Sequence, residues 1–147
     1  MKNKQVAEVQ ISYYPSLISD FKIGNSRDSF DIVLNDWDSN TLEMQEEVKV
    51  LLLNRSNQTL GLYALAKGGL TSCVVDVRII LSVALKSLAT GIILVHNHPS
   101  GNLKPSQDDL KITEQLNSAC KLLNIQLLDH LIITKHDYFS FADEGIL

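Results

Sequence analysis

The stretch GIILVHNHPSGNLKPSQDD, residues 91–109, runs from five apolar or small residues straight into two histidines, two serines and two aspartates. GIILV has no polar alternation, so it reads as a short strand buried on both faces and central in a sheet. His96 and His98 are two apart. If the strand continues through them, both side chains leave from one face. Two imidazoles on one face can bind a single cation such as Zn²⁺, at about 2.0–2.1 Å each. Pro99, Ser100 and Gly101 end the strand, Pro105 prepares a helix start, and Ser106 stands where an N-cap belongs. Asp109 then falls in the first helical turn. Two histidines and one aspartate leave the fourth tetrahedral position to water, as in catalytic zinc sites. The same four residues, Ser106 to Asp109, also read as a capping box, with Asp109 reaching back to the cap amide. The two readings are compatible.

Working outward, residues 6–14, VAEVQISYY, suggest a strand in an N-terminal arm. Ser26 reads as the N-cap of a helix on which Phe30, Val33, Leu34 and Trp37 recur at helical spacing, and Asp38-Ser39-Asn40 closes it. EEVKVLLLN (46–54) and TLGLYALA (59–66) read as two strands joined by a turn at 55–58, and Gly68-Gly69 ends the second. Val77, Ile80, Leu81, Ala84, Leu85 and Leu88 make one apolar helix face; Leu110, Thr113, Leu116, Ala119, Cys120 and Leu123 make another. LDHLIIT and YFSF close the chain as strands. Helix, strand, strand, helix, strand, helix, strand, strand implies an α/β sandwich of mixed strand direction.

At 147 residues the chain suits one domain, and a domain of that size buries roughly 70% of its unfolded surface. No apolar run approaches the roughly 20 residues of a membrane span, and the N-terminus has no apolar segment of a secretory signal. Cys73 and Cys120 are too few for a disulfide framework and read as small core residues, so a reducing cytoplasm is the expected setting. The net charge of −4 gives no global basic footprint for nucleic acid.

His96, His98, Ser106 and Asp109 match the JAMM (MPN-plus) metalloprotease signature: His-x-His, seven residues, Ser, two residues, Asp. Together with LLDHLIIT and YFSFADEG, the text resembles the RadC family of bacterial JAB-domain proteins. The resemblance covers residues 40–147, with 1–39 as an arm and helix packing on that domain. It implies a cytidine-deaminase-like JAB/MPN sandwich, a mixed sheet flanked by helices. RadC proteins often carry an N-terminal helix-hairpin-helix module, for which this sequence has no room; that points to a short form.

The resemblance also implies roles. An upstream glutamate at a strand start acts as general base without ligating the metal; Glu46 and Glu47 are the candidates. Alternation groups Glu46 with Val48, Val50 and Leu52, and the family's Glu-x-apolar pattern favours Glu46, leaving Glu47 a solvated edge charge. Ser106 would donate to the oxyanion. Asp108 reads as a solvated first-turn acid. Asn97 and Ser100 read either as groups orienting the histidines or as plain loop polarity, His130 as a satisfied structural histidine in preference to a role near the metal, and His136 as exposed in a turn. The expected function is a zinc-dependent hydrolase, of metallopeptidase or isopeptidase type, acting on a peptide or isopeptide, with no membrane partner. One alternative is a DNA-repair-associated binding module without peptidase activity, for which Lys104, Lys111, Lys121 and Lys135 would form the patch. Another is a zinc that only holds the fold.

Overall fold

The computed structural model describes residues 6–15, 21–68 and 74–147. The elements follow the expected order: α1 (Ser26–Asp36), β1 (Glu47–Leu53), β2 (Thr59–Lys67), α2 (Val77–Lys86), β3 (Gly91–Asn97), α3 (Gln107–Leu122), β4 (Gln126–Ile133) and β5 (Tyr138–Ser140). The strands form one sheet in the order β2-β1-β3-β4-β5. β3 runs parallel to β4, as the crossover through α3 requires, and the other neighbours are antiparallel. β1 and β3 are buried along their whole length, which accounts for their nearly unbroken apolar text.

The two faces divide by strand alternation. Val48, Val50, Leu52, Ile92 and Leu94 pack under α2 and α3 with Ile80, Ala84, Leu116 and Cys120. Leu51, Leu53, Ile93, Val95, Leu131 and Ile133 pack on α1 through Phe30, Val33 and Trp37. The result is a three-layer α/β/α arrangement.

β4 breaks the simple alternation. Ile92 pairs with Leu127 but Ile93 pairs with Asp129, so Leu128 is an extra residue. A bulge of this kind turns every following side chain to the opposite face. Gly91 makes room for it, since a Cβ there would meet Leu128 Cδ1 at 2.9 Å.

Several local expectations are corrected. The N-cap of α1 is Asn25, whose side chain accepts from the Asp28 amide. Ser26 instead lies 2.9 Å from the Tyr138 hydroxyl and donates to Asp143, tying α1 to the C-terminal segment. Residues 7–15 form no strand. They are held by isolated ties, Tyr13 Oη donating to the Leu60 carbonyl and Lys86 Nζ to that of Ile11, both at 2.6 Å. No ladder forms along them, and Val6, Val9, Ile11 and Tyr14 stay exposed. Leu85 lies within α2 but on its exposed side, whereas Leu88 lies beyond the helix, which ends at Lys86; Leu88 follows the C-cap with φ +56° and is 82% exposed. Leu123 is the C-cap of α3 and is exposed. Cys120 is buried, and burial pushes its thiol up to about 11. Cys73 and Gly69 lie outside the described residues. No helix among the described residues is long and apolar enough to cross a membrane.

Candidate metal centre

Three chain ends meet on the α2/α3 side of the sheet: the entry to β1, the exit of β3 and the N-terminus of α3. Val48 pairs with His96 across β1 and β3, which sets Glu46, two residues earlier, beside the imidazole. His98 follows the last strand residue. The two Nε2 atoms lie 2.9 Å apart, so the same-face expectation holds even though β3 ends at Asn97. The chain then turns at His98–Gly101, closed by the Gly101 amide donating to the His98 carbonyl at 3.0 Å. Gly101 has open space around it and φ +84°, so backbone conformation is what favours glycine there.

α3 begins as read. Ser106 Oγ accepts from the Asp109 amide at 3.0 Å, and Asp109 Oδ2 accepts from the Ser106 amide at 2.8 Å, completing the capping box. The carboxylate so anchored also faces the histidines, with Oδ1 3.3 Å from His96 Nε2 and Oδ2 3.4 Å from His98 Nε2. Asp109 therefore caps the helix and borders the imidazoles at once. Glu46 Oε1 stands 4.0 Å from His96 Nε2. Ligand atoms of Glu46, His96 and His98 all fall within 4.8 Å of one another, which makes these three a candidate metal-binding triad.

Hydrogen-bond direction tests whether the donors suit a cation. His98 Nδ1 is 2.6 Å from the Asn102 carbonyl, which can only accept. Nδ1 therefore carries the proton, and in the neutral ring Nε2 presents a lone pair to the centre. A bare nitrogen, a second imidazole 2.9 Å away and two carboxylates make an electron-rich cluster that a cation would neutralise. The residues present fit a metal ion.

Electrostatics agree. Burial opposes charge on Asp109, but the His96 and His98 imidazoles beside it and the Ser106 amide outweigh it and hold the carboxyl far below the usual range. Burial raises Glu46, against the pull of both imidazoles. Burial lowers His98, yet Asp109, the Asn102 carbonyl and Glu46 carry it above its ordinary value.

Two residues matter more here than their sequence suggested. Asn97 points to the α1 face and is fully buried. Its Nδ2 donates to the Leu42 and Gln45 carbonyls at 2.7 and 2.8 Å, and its Oδ1 accepts from the Glu47 amide at 2.7 Å. One side chain thus clamps the backbone on both sides of Glu46. Asn97→Ala leaves a buried amide and two carbonyls without partners, each costing about 1–3 kcal/mol. Chemical denaturation should show a loss of at least about 2 kcal/mol; an unchanged midpoint would mean the clamp is not needed. His130 is the second. The bulge turns it onto the site face, where its Nε2 lies 2.8 Å from His96 Nδ1.

The remaining candidates are accounted for individually. Glu47 is buried, not a solvated edge charge. Ser100 Oγ accepts from the Asn102 amide at 3.3 Å, within the loop. Asp108, His136 and the four named lysines are exposed, and Lys135 pairs with Glu43 at 3.7 Å.

Comparison with known proteins gives this geometry a family. A model of the RadC-like JAB domain matches residues 23–146. The chain belongs to that family. Among curated relatives, a UPF0758 protein of Flavobacterium johnsoniae is 50% identical over 101 residues, covering 69% of this chain and 44% of that protein. One from Porphyromonas gingivalis is 48% identical over 104 residues, covering 70% and 46%. One from Aquifex aeolicus is 38% identical over 149 residues, covering 97% and 63%. The chain thus spans about half the length of the curated relatives it matches. The RadC-like JAB match begins at Ile23, so it takes in α1 as well as the sheet.

Proposed function

We propose that this RadC-like JAB domain is a zinc-dependent hydrolase of amide bonds, of metallopeptidase or isopeptidase type. The observation that carries the reading is the convergence of His96 Nε2, His98 Nε2 and the Asp109 carboxylate, with Glu46 one water's width away. His96, His98 and Asp109 would hold the ion in the JAMM pattern. Zinc, when bound, lowers the pKa of a water and polarises a carbonyl.

The chain's own groups supply the rest. The Glu46 carboxylate takes a proton from the attacking water and returns it to the leaving amine. Its raised affinity for protons suits that exchange. Ser106 Oγ already accepts from the Asp109 amide, so its hydrogen is free to point at an oxyanion. Val48, Val75, Leu94 and Ile112 wall an apolar cleft that opens onto Glu46, His96 and Asp109, where a substrate chain would lie.

The test is cleavage of peptide and isopeptide-linked substrates by zinc-loaded protein. The expected result is hydrolysis that stops on chelation and returns with zinc. Hydrolysis indifferent to chelation, or none from a protein shown to hold zinc, would overturn the reading.

A further inference from the structure

His96 uses Nε2 toward Asp109 and His98, and its other nitrogen enters a buried chain of hydrogen bonds. His96 Nδ1 lies 2.8 Å from His130 Nε2. His130 Nδ1 lies 2.5 Å from Thr113 Oγ1. Thr113 Oγ1 donates to the backbone carbonyl of Asp109 at 2.7 Å. Thr113 and His130 are both buried, and His130 stacks on Phe141 with ring centroids 4.4 Å apart.

The direction of this chain follows from its far end. A carbonyl has no hydrogen to give, so the single Thr113 hydroxyl hydrogen goes to Asp109. Toward His130 the hydroxyl oxygen must therefore accept, which places a proton on His130 Nδ1. The neutral His130 ring then has a bare Nε2, which accepts from His96 Nδ1–H. That leaves His96 Nε2 unprotonated, facing the centre.

We propose that Thr113 and His130 are positioning residues that fix the tautomer of His96 and so present its Nε2 lone pair, not an N–H, to a metal ion. The inference rests on the metal reading above. His98 is fixed independently by the Asn102 carbonyl. The relay begins on His96 and ends on the backbone of Asp109, so it also ties the first turn of α3 to the end of β3. Ligating histidines commonly have their second nitrogen held in this way, and losing the partner costs about 10–100-fold in metal affinity.

Thr113→Val keeps the shape of the side chain and removes the hydroxyl; Thr113→Ser keeps the hydroxyl. Zinc and cobalt titration of the full chain should show Thr113→Val weakened about 10–100-fold, with Thr113→Ser close to wild type. Equal affinity in wild type and Thr113→Val would overturn the relay while leaving the metal reading intact. So would an equal loss in both variants, because packing would then be the cause. No uptake by wild type would take down the metal reading and the relay with it. Imidazole nitrogen shifts in the metal-free wild type supply a readout independent of metal and of the variants' folding. They should show His130 protonated at Nδ1 and bare at Nε2; the reverse tautomer would overturn the proposal.

Discussion

Glu46→Gln is expected to keep one zinc per chain and to lower hydrolysis by about 10²–10⁴-fold, the usual contribution of a positioned general base. Glutamine preserves the size and hydrogen-bonding reach of the side chain but cannot take a proton. The geometry separates Glu46 from the other groups. Its nearest oxygen is 4.0 Å from His96 Nε2, beyond a hydrogen bond but suited to a bridging water, whereas both Asp109 oxygens come within 3.4 Å of an imidazole. The Asn97 clamp on the adjacent backbone keeps Glu46 at that distance. The measurement is zinc content and turnover on the same preparation. Loss of zinc with loss of turnover would make Glu46 a ligand, a role open to it because its oxygen converges with His96 and His98. Full turnover would place the base elsewhere.

Ser106→Ala should cost much more in rate than in stability. As an N-cap, Ser106 contributes about 1 kcal/mol, and its loss should lower the unfolding midpoint only slightly. As an oxyanion donor it would be worth about 10²–10³-fold in turnover. The substitution is clean because Asp109 is anchored by the backbone amide of Ser106, which alanine retains, so zinc content should not change. Turnover per folded molecule and thermal unfolding separate the roles. An unchanged rate beside a lowered midpoint would reduce Ser106 to a cap.

Much of this was legible in the sequence because its cues are local. The unbroken apolar text of β1 and β3 marked central strands, and His96 and His98 needed only the two-residue period to face one another. Ser106 and Asp109 needed only the four-residue capping pattern. Alternation along β1 separated Glu46 from Glu47, and the faces divide as read; the choice of Glu46 came from the family resemblance. What stayed hidden depended on tertiary contacts. Counting by twos from Leu127 sends His130 to the α1 face, and only the extra residue at Leu128 returns it to His96. Gly91, where a Cβ would meet the Leu128 side chain, is a faint sequence trace of the bulge. Asn97 read equally as a group orienting the histidines or as loop polarity, and its clamp on the backbone around Glu46 stayed hidden because its partners lie 50 to 55 residues earlier. The cap of α1 moved from Ser26 to Asn25 because Tyr138 and Asp143 engage the serine from the far end of the chain. The arm at 6–15 has strand-like text, but a strand needs a ladder as well as a pattern.

The most direct test is the metal itself. Zinc content should be measured by mass spectrometry on tag-free protein, wild type beside Asp109→Ala, with folding checked by circular dichroism. One zinc per chain in the wild type, largely lost from a folded Asp109→Ala, is the expected result. A wild type that holds no zinc after exposure and removal of excess would contradict the account and leave Asp109 as the cap of a helix.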